Sequence, residues 1–284
     1  MVRVLVGFLL LAGSGFAQAQ SEPLRFQFQQ GQTLTYAVRQ VTSVTEVTLD
    51  DKTNMPTTAM TVTKLTLTRR WEVKSVDANG VGTLEMSIAA MRQEIARPGP
   101  ADKDGKPTVD SLVIDSATAE GKQQTAEYLN KPIVTAKIDS HGRLLDAKSA
   151  AGATDRLQAE LPLRITFPEA APVVGTPWNR PFSIKLDPPF GTGEQYEATQ
   201  TYTLKKLADG TAIVGVSTAL KSPPTDPAQL PAIVPLMWEG ELTFQPRTGR
   251  YAGAKLTIKK DIANHQGTGS KFTFASDYTE TLEK

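Results

Sequence analysis

Hydrophobic and polar residues alternate along much of this chain, with Thr and Val at many of the positions. The segment 61–76 shows the pattern best, because Leu65, Leu67, Trp71 and Val73 share one face while Thr and charged residues share the other. Strands with one apolar and one polar face are typical of antiparallel sheets. The same alternation recurs at 82–90, 238–244, 252–258 and 272–282. The sequence therefore predicts an all-β protein with little helix.

Turn and bend signals punctuate these strands. The segments 77–80, 139–142 and 246–249 each end on a glycine between two alternating runs. Such a glycine suits a turn whose last residue has a positive φ. Within 33–49 the apolar positions change phase after Val38, which predicts a bulge or strong bend. Long, curved antiparallel strands in a barrel-like or half-barrel sheet are the expected fold.

Helix signals are few. Short helices are predicted at 120–129 and 154–161, where capping residues flank suitable spacing of apolar side chains. The segments 96–107 and 222–235 are rich in Pro and polar residues, so both are predicted to be mobile loops.

Two parts of the chain are similar to each other. The segment 68–88 resembles 200–218, and the hairpin at 134–147 resembles the one at 241–254. These likenesses predict an internal duplication, although turn chemistry alone can produce similar hairpins. Whether the two halves share one sheet or core stays open. The predicted units are a signal peptide (1–19), an N-terminal β-unit (20–148), a linker with a short helix (149–180) and a C-terminal β-unit (181–284).

The first residues have the features of an export signal. Arg3 precedes an apolar stretch at 4–12, and Ala17 and Ala19 supply the small residues that a leader peptidase reads. The apolar stretch is too short to span a membrane, so the mature chain is expected to have no transmembrane segment. We expect cleavage after Ala19 and a periplasmic or extracellular location.

Composition narrows the chemistry. The chain has no cysteine, and its 31 basic and 30 acidic residues are balanced, so a nucleic-acid partner is not expected. His141 and His265 fall in predicted turns, where histidines are usually solvated, and neither has metal-ligand spacing. Asp50–Asp51 and the Asp102/Asp104 pair are expected to be solvated loop tips. Hydrolase signatures such as GxSxG are absent, so neither an enzyme nor a cofactor or metal site is expected.

Aromatic residues on the apolar strand faces leave two interpretations open. They either fill a closed core or line a cavity for an apolar ligand, since a wide curved sheet can enclose more space than its side chains fill. The candidate lining residues are Tyr36, Trp71, Trp238, Phe272 and Phe274.

Three stretches carry a family resemblance: PLRFQFQQGQTLTY at 23–36, WEVKSVDANGVGTLEMSI at 71–88 and LRITFPEAAPVVGTPW at 163–178. Together they resemble a family of exported bacterial proteins to which no activity is assigned, so the resemblance implies no catalytic residue. More loosely, the strand length and the I-D-x-x-G-R-L hairpin are similar to those of periplasmic lipoprotein carriers. Those carriers hold acyl chains on the concave face of a half-barrel, but fold alone does not fix function.

These observations favour a non-enzymatic periplasmic binding or carrier protein for an apolar small molecule or lipid. The alternative is a structural or interaction protein of the cell envelope, with closed β cores and an envelope protein as its partner.

Overall fold

A computed structural model of the protein describes residues 23–50, 52–150, 154–188 and 191–283. The predicted signal peptide (1–19) and Asp51 lie outside the described residues. The fold is all-β with minor helix, as predicted, and it consists of one antiparallel sheet of 12 strands that is not closed. The sheet is curved like a half-barrel.

The strands are β1 (Thr33–Leu49), β2 (Pro56–Val76), β3 (Gly82–Gly99), β4 (Thr108–Asp115), β5 (Val134–Ile138), β6 (Leu144–Ser149), β7 (Pro177–Leu186), β8 (Glu194–Ala208), β9 (Thr211–Leu220), β10 (Glu239–Gln245), β11 (Arg250–Ala263) and β12 (Lys271–Leu282). The helices are α1 (Ala119–Thr125), α2 (Thr154–Ala159) and α3 (Leu230–Ile233). Helix α1 ends four residues before its predicted end, and α2 ends two before. No helix in the described part of the chain is long and apolar enough to cross a membrane.

The first and last strands lie side by side in the middle of the sheet. The strand order is β6-β5-β3-β2-β1-β12-β11-β10-β9-β8-β7, with β4 pairing the far end of β3. The chain therefore meanders outwards from β1 to one edge, crosses to the other edge and meanders back to β12. The two predicted β-units thus share a single sheet. Strand β7 begins at Pro177, inside the predicted linker 149–180.

The two similar parts of the sequence occupy comparable places in this meander. The segment 68–88 spans the β2–β3 hairpin, and 200–218 spans the β8–β9 hairpin. Each is the second hairpin of its half, because β2–β3 follows β1–β2 and β8–β9 follows β7–β8. The similar segments 134–147 and 241–254 form the β5–β6 and β10–β11 hairpins. A duplication stays a prediction, since antiparallel meanders generate such likenesses by themselves.

The phase slip predicted within β1 is wrong. Its pairing with both β2 and β12 runs from end to end without a register shift. The inner face simply changes from apolar to polar, because Tyr36 and Val38 are followed on that face by Gln40 and Thr42. Register shifts occur instead in β2 and β3, next to Arg69.

The turn predictions are confirmed, and one loop prediction is wrong. Gly80, Gly142 and Gly249 all have positive φ values, of 79°, 84° and 61°. Of the predicted loop 96–107, residues 96–99 belong to β3, and 100–107 connect β3 to β4. The segment 222–235 contains short 3-10 turns around α3 and buries Ile233 and Val234. Prolines in the first turns of these helical pieces cost little, since the N–H that proline lacks has no partner there.

The gap between the two sheet edges is crossed by residues 160–169, here called the bridging segment. Leu161, Leu163, Ile165 and Phe167 alternate along it, and all four side chains are buried in the core. The Phe167 N–H donates to the carbonyl of His141 at 2.7 Å, which ties the segment to the turn between β5 and β6. Apolar packing, rather than strand pairing, therefore spans the open side.

Candidate functional site

One cleft in the described part of the chain lies beside the open edge of the sheet. It has a volume of about 720 Å³ and runs between β7, the bridging segment and the start of β6. This volume is typical of sites for small organic ligands. Strand β7 can form such a wall because it is an edge strand, where Pro177 and Pro181 interrupt no ladder between two neighbours.

Aromatic and aliphatic side chains form much of the cleft wall. Trp178 and Phe182 come from β7, and Leu161 and Phe167 come from the bridging segment. The Trp178 indole is fixed on both sides: its Nε1 donates to the carbonyl of Thr166 at 2.6 Å, and its ring stacks on Tyr202 with centroids 5.7 Å apart. A pre-positioned aromatic wall of this kind binds apolar ligands at little cost in side-chain entropy.

The polar groups of the cleft differ in how they are neutralised. Arg143 donates to Asp139 at 2.7 Å and to Glu169 at 3.0 Å, so two carboxylates balance its charge. Lys185 lies 2.9 Å from Asp187. Arg180, in contrast, has neutral partners: its Nη1 donates to Gln200 Oε1 at 2.8 Å, and its Nη2 donates to the carbonyl of Gln158.

A second cavity of about 370 Å³ continues along β7. Its walls include Ile184 and Leu186 of β7, Ala159 of α2, and Leu236 just after α3. Lys185 borders both cavities, and Gln158 and Ala159 at the end of α2 border one each. The edge strand is thus accompanied by hollow space along most of its length.

The aromatic residues predicted as cavity lining lie in the core instead of in this cleft. Tyr36, Trp71, Trp238 and Phe274 are buried, and Phe272 is partly buried. Trp238 borders a void, but that void measures only about 10 Å³. A role for these five residues in lining a ligand cavity stays a prediction.

Several core aromatics surround a buried charge cluster around Glu280 on β12. Glu280 is 1% exposed in its side chain, accepts a hydrogen bond from Arg69, and accepts one from each hydroxyl of Tyr251 and Tyr278 at 2.9 Å. The Nε of Arg164 lies 3.7 Å from the same carboxylate. Two buried guanidiniums therefore share one carboxylate.

Electrostatics keep that carboxylate ionised. Burial by itself raises the pKa of Glu280, but the charges of Arg69 and Arg164 and the hydrogen bonds outweigh burial, so its pKa lies below the ordinary value. Burial also raises the pKa of Tyr251 well above its ordinary value, so this hydroxyl stays a donor. Both oxygens of Glu280 are engaged by groups inside the cluster, which is typical of a structural rather than a reactive carboxylate.

The expectation that both histidines are solvated is wrong. His265 is buried next to Phe272, with its Nε2 2.8 Å from Glu46 Oε1, and His141 packs against Asp139 and Glu169 with a side chain only 14% exposed. Contacts from distant parts of the chain cover both turns, and sequence spacing gives no sign of them. Across the described ranges, no group of three or more His, Cys, Asp or Glu side chains could hold a metal ion.

The acidic turns behave as predicted where the structure describes them. Asp50 and Asp102 are exposed, and each accepts backbone N–H groups of its own turn.

Sequence reasoning missed the residues that build the cleft: Phe167, Trp178, Arg180 and Phe182. One signal was present. The apolar alternation from Leu161 to Phe167 indicates a buried segment, whereas the sequence interpretation treated it as linker. Nothing in the sequence shows that this segment lies against β7.

No protein-family model matches the chain, and no curated protein matches it significantly. The function must therefore be argued from the geometry of the cleft.

Proposed function

We propose that this protein is a non-enzymatic binding or carrier protein for an apolar ligand, and that the ligand occupies the cleft beside β7. The observation that carries the proposal is the cleft of about 720 Å³, with its walls of Trp178, Phe167 and Phe182. Burying apolar ligand surface there is favourable by about 0.8 kcal/mol per methylene, less the cost of ordering the ligand.

The half-barrel shape supports the same proposal. The sheet is not closed, and its open side is spanned by the bridging segment. The cleft lies at that open side, so a ligand can enter without separating paired strands. The loose similarity to lipoprotein carriers agrees with this arrangement at the level of fold.

Export is part of the proposal. Arg3, the apolar stretch that follows it and the cleavage site at Ala17–Ala19 would form a signal peptide, which directs the mature chain to the periplasm or the cell exterior. N-terminal analysis of periplasmic material should then find Gln20 as the first residue. Material that keeps Met1 and stays in the inner membrane would overturn the export proposal without touching the cleft.

The direct test is titration of the mature protein with a neutral naphthylamine probe whose fluorescence rises in apolar surroundings. Ser183 is exposed and borders the cleft, so Ser183→Trp adds bulk at the rim of the cleft without removing a core contact. We expect saturable binding, weakened by Ser183→Trp and by Trp178→Ala about tenfold, which is about 1.4 kcal/mol.

The matched control is Leu207→Ala, which truncates an exposed apolar side chain that does not line the cleft. It should bind the probe as the wild type does. If the probe does not bind saturably, or if all three variants bind it equally well, the cleft is not the site.

A second candidate function rests on a different surface. The outer parts of β2 and β4 expose apolar side chains: Met60, Val109, Leu112 and Val113 are 41–69% exposed. Val109 and Val113 lie on one face of β4, and Leu112 lies on the other face, across from Ile95 of β3. Exposed apolar side chains often mark a protein contact, so these residues favour the interaction-protein alternative.

A further inference from the structure

The cleft contains a guanidinium whose charge no protein carboxylate balances. Arg180 lies on β7 and lines the cleft, and its Cζ lies 4.9 Å from the ring centroid of Phe182. Both of its hydrogen bonds go to neutral oxygens, of Gln200 and Gln158. Among the described residues, no Asp or Glu oxygen lies within ion-pair distance of it.

The other charges near the cleft do not compensate for it. Glu169 is engaged by Arg143, and Asp187 is engaged by Lys185. The half-buried position of Arg180 makes its charge costly, and burial lowers its pKa, with Tyr202 acting in the opposite direction. A buried charge without a counter-ion is unfavourable, and proteins usually pair it.

The guanidinium also has donors to spare. A guanidinium carries five N–H groups in a planar fork that fits the two oxygens of a carboxylate or the oxygens of a phosphate. The two hydrogen bonds to Gln200 and Gln158 use two of them. The Arg180 guanidinium, with its remaining donors, lies beside the apolar wall. This follows because Trp178, Arg180 and Phe182 occupy alternate positions on the same face of β7.

We propose that Arg180 binds the acidic head group of the ligand, so that the cleft takes an amphipathic molecule with one carboxylate or phosphate head and an apolar body. This inference rests on the proposed binding function and adds the chemistry of the ligand. The head pairs with Arg180, and the body lies against Trp178, Phe167 and Phe182.

The experiment displaces the bound naphthylamine probe with three ligands of equal chain length: palmitate, hexadecyl phosphate and hexadecanol. Wild-type protein should bind at least one of the two acids about tenfold or more tightly than the alcohol, since a charge-assisted hydrogen bond is lost with the alcohol. Palmitate and hexadecyl phosphate separate the two possible head groups.

Variants test the residue. Arg180→Gln should bring the acids down to the affinity of hexadecanol and leave hexadecanol within about twofold of wild type. Arg180→Lys should restore part of the preference, because a point charge replaces the fork. Arg70→Gln is the control, since Arg70 is an exposed arginine on β2 that does not line the cleft.

The outcomes separate the two claims. If no apolar molecule displaces or binds, the proposed function fails. If the alcohol and both acids bind wild-type protein equally, or if Arg180→Gln keeps the preference, the inference about Arg180 fails while the binding function stands. The comparison in wild-type protein needs no variant, so it decides the matter even if Arg180→Gln does not fold.

Discussion

Replacing Glu280 by Gln would remove the one carboxylate between two buried guanidiniums. Its Oε1 accepts from Arg69, and its Oε2 accepts from two tyrosine hydroxyls and faces Arg164 at 3.7 Å. The side chains of Arg69 and Arg164 are 17% and 12% exposed, so solvent screens them little. Breaking a buried pair by removing one partner costs about 3–5 kcal/mol.

Urea unfolding followed by far-ultraviolet circular dichroism measures this cost. The control is Glu94→Gln, which removes a surface ion pair with Lys64 whose side chains are 55% and 31% exposed. That change should cost no more than about 1 kcal/mol. The double variant Arg69→Met/Glu280→Gln should cost less than the sum of its single changes by about 0.5–3 kcal/mol, because both break one interaction.

This reasoning is refuted if Glu280→Gln lowers the free energy of unfolding by no more than Glu94→Gln does. Additive costs in the double variant would also refute it, since they would mean that Arg69 and Glu280 do not stabilise each other.

Two further predictions concern the same core. The pKa of Glu280 lies below its ordinary value, so its contribution to the free energy of unfolding should be complete above about pH 4.5. The contribution should decline as the pH falls towards the folded-state pKa. Urea unfolding over a pH series should show this decline in wild type and less of it in Glu280→Gln. Gly142→Ala should lower the free energy of unfolding by at least about 1 kcal/mol more than Gly105→Ala in the same assay. Both glycines have positive φ, but only at Gly142 would the new Cβ meet backbone, 2.3 Å from the carbonyl oxygen of Ile165. Equal losses in the two glycine variants would show that the bridging segment does not press on this turn.

Local sequence pattern was enough to predict most of the strands and turns. Alternation predicted the strands, and glycines at the ends of alternating runs predicted turns with positive φ, as at Gly80.

What alternation could not supply is long-range pairing. Glu280 meets Arg69 because β12 lies next to β1, and β1 in turn pairs β2. No local pattern encodes that order. The predicted phase slip in β1 failed for a related reason: Gln40 and Thr42 occupy inner positions that are only partly buried, where a polar residue costs little.

The cleft could not be predicted from the sequence, because it too depends on long-range pairing. Phe167 and Trp178 are close in sequence, but their shared wall depends on the bridging segment lying between two unpaired sheet edges. Sequence reasoning therefore selected the aromatics on the clearest strands, such as Trp71, which the structure places in the core. Openness at a sheet edge is a property of topology and not of any one segment.

Photo-crosslinking with a diazirine analogue of palmitate tests the central claim most directly, because it reports where an apolar ligand lies. The account predicts saturable labelling of peptides from 158–169 and 177–185, competed by unlabelled palmitate and reduced in Ser183→Trp. Labelling concentrated on β2–β4, around Leu112 and its exposed neighbours, would contradict it and would support the interaction-protein alternative.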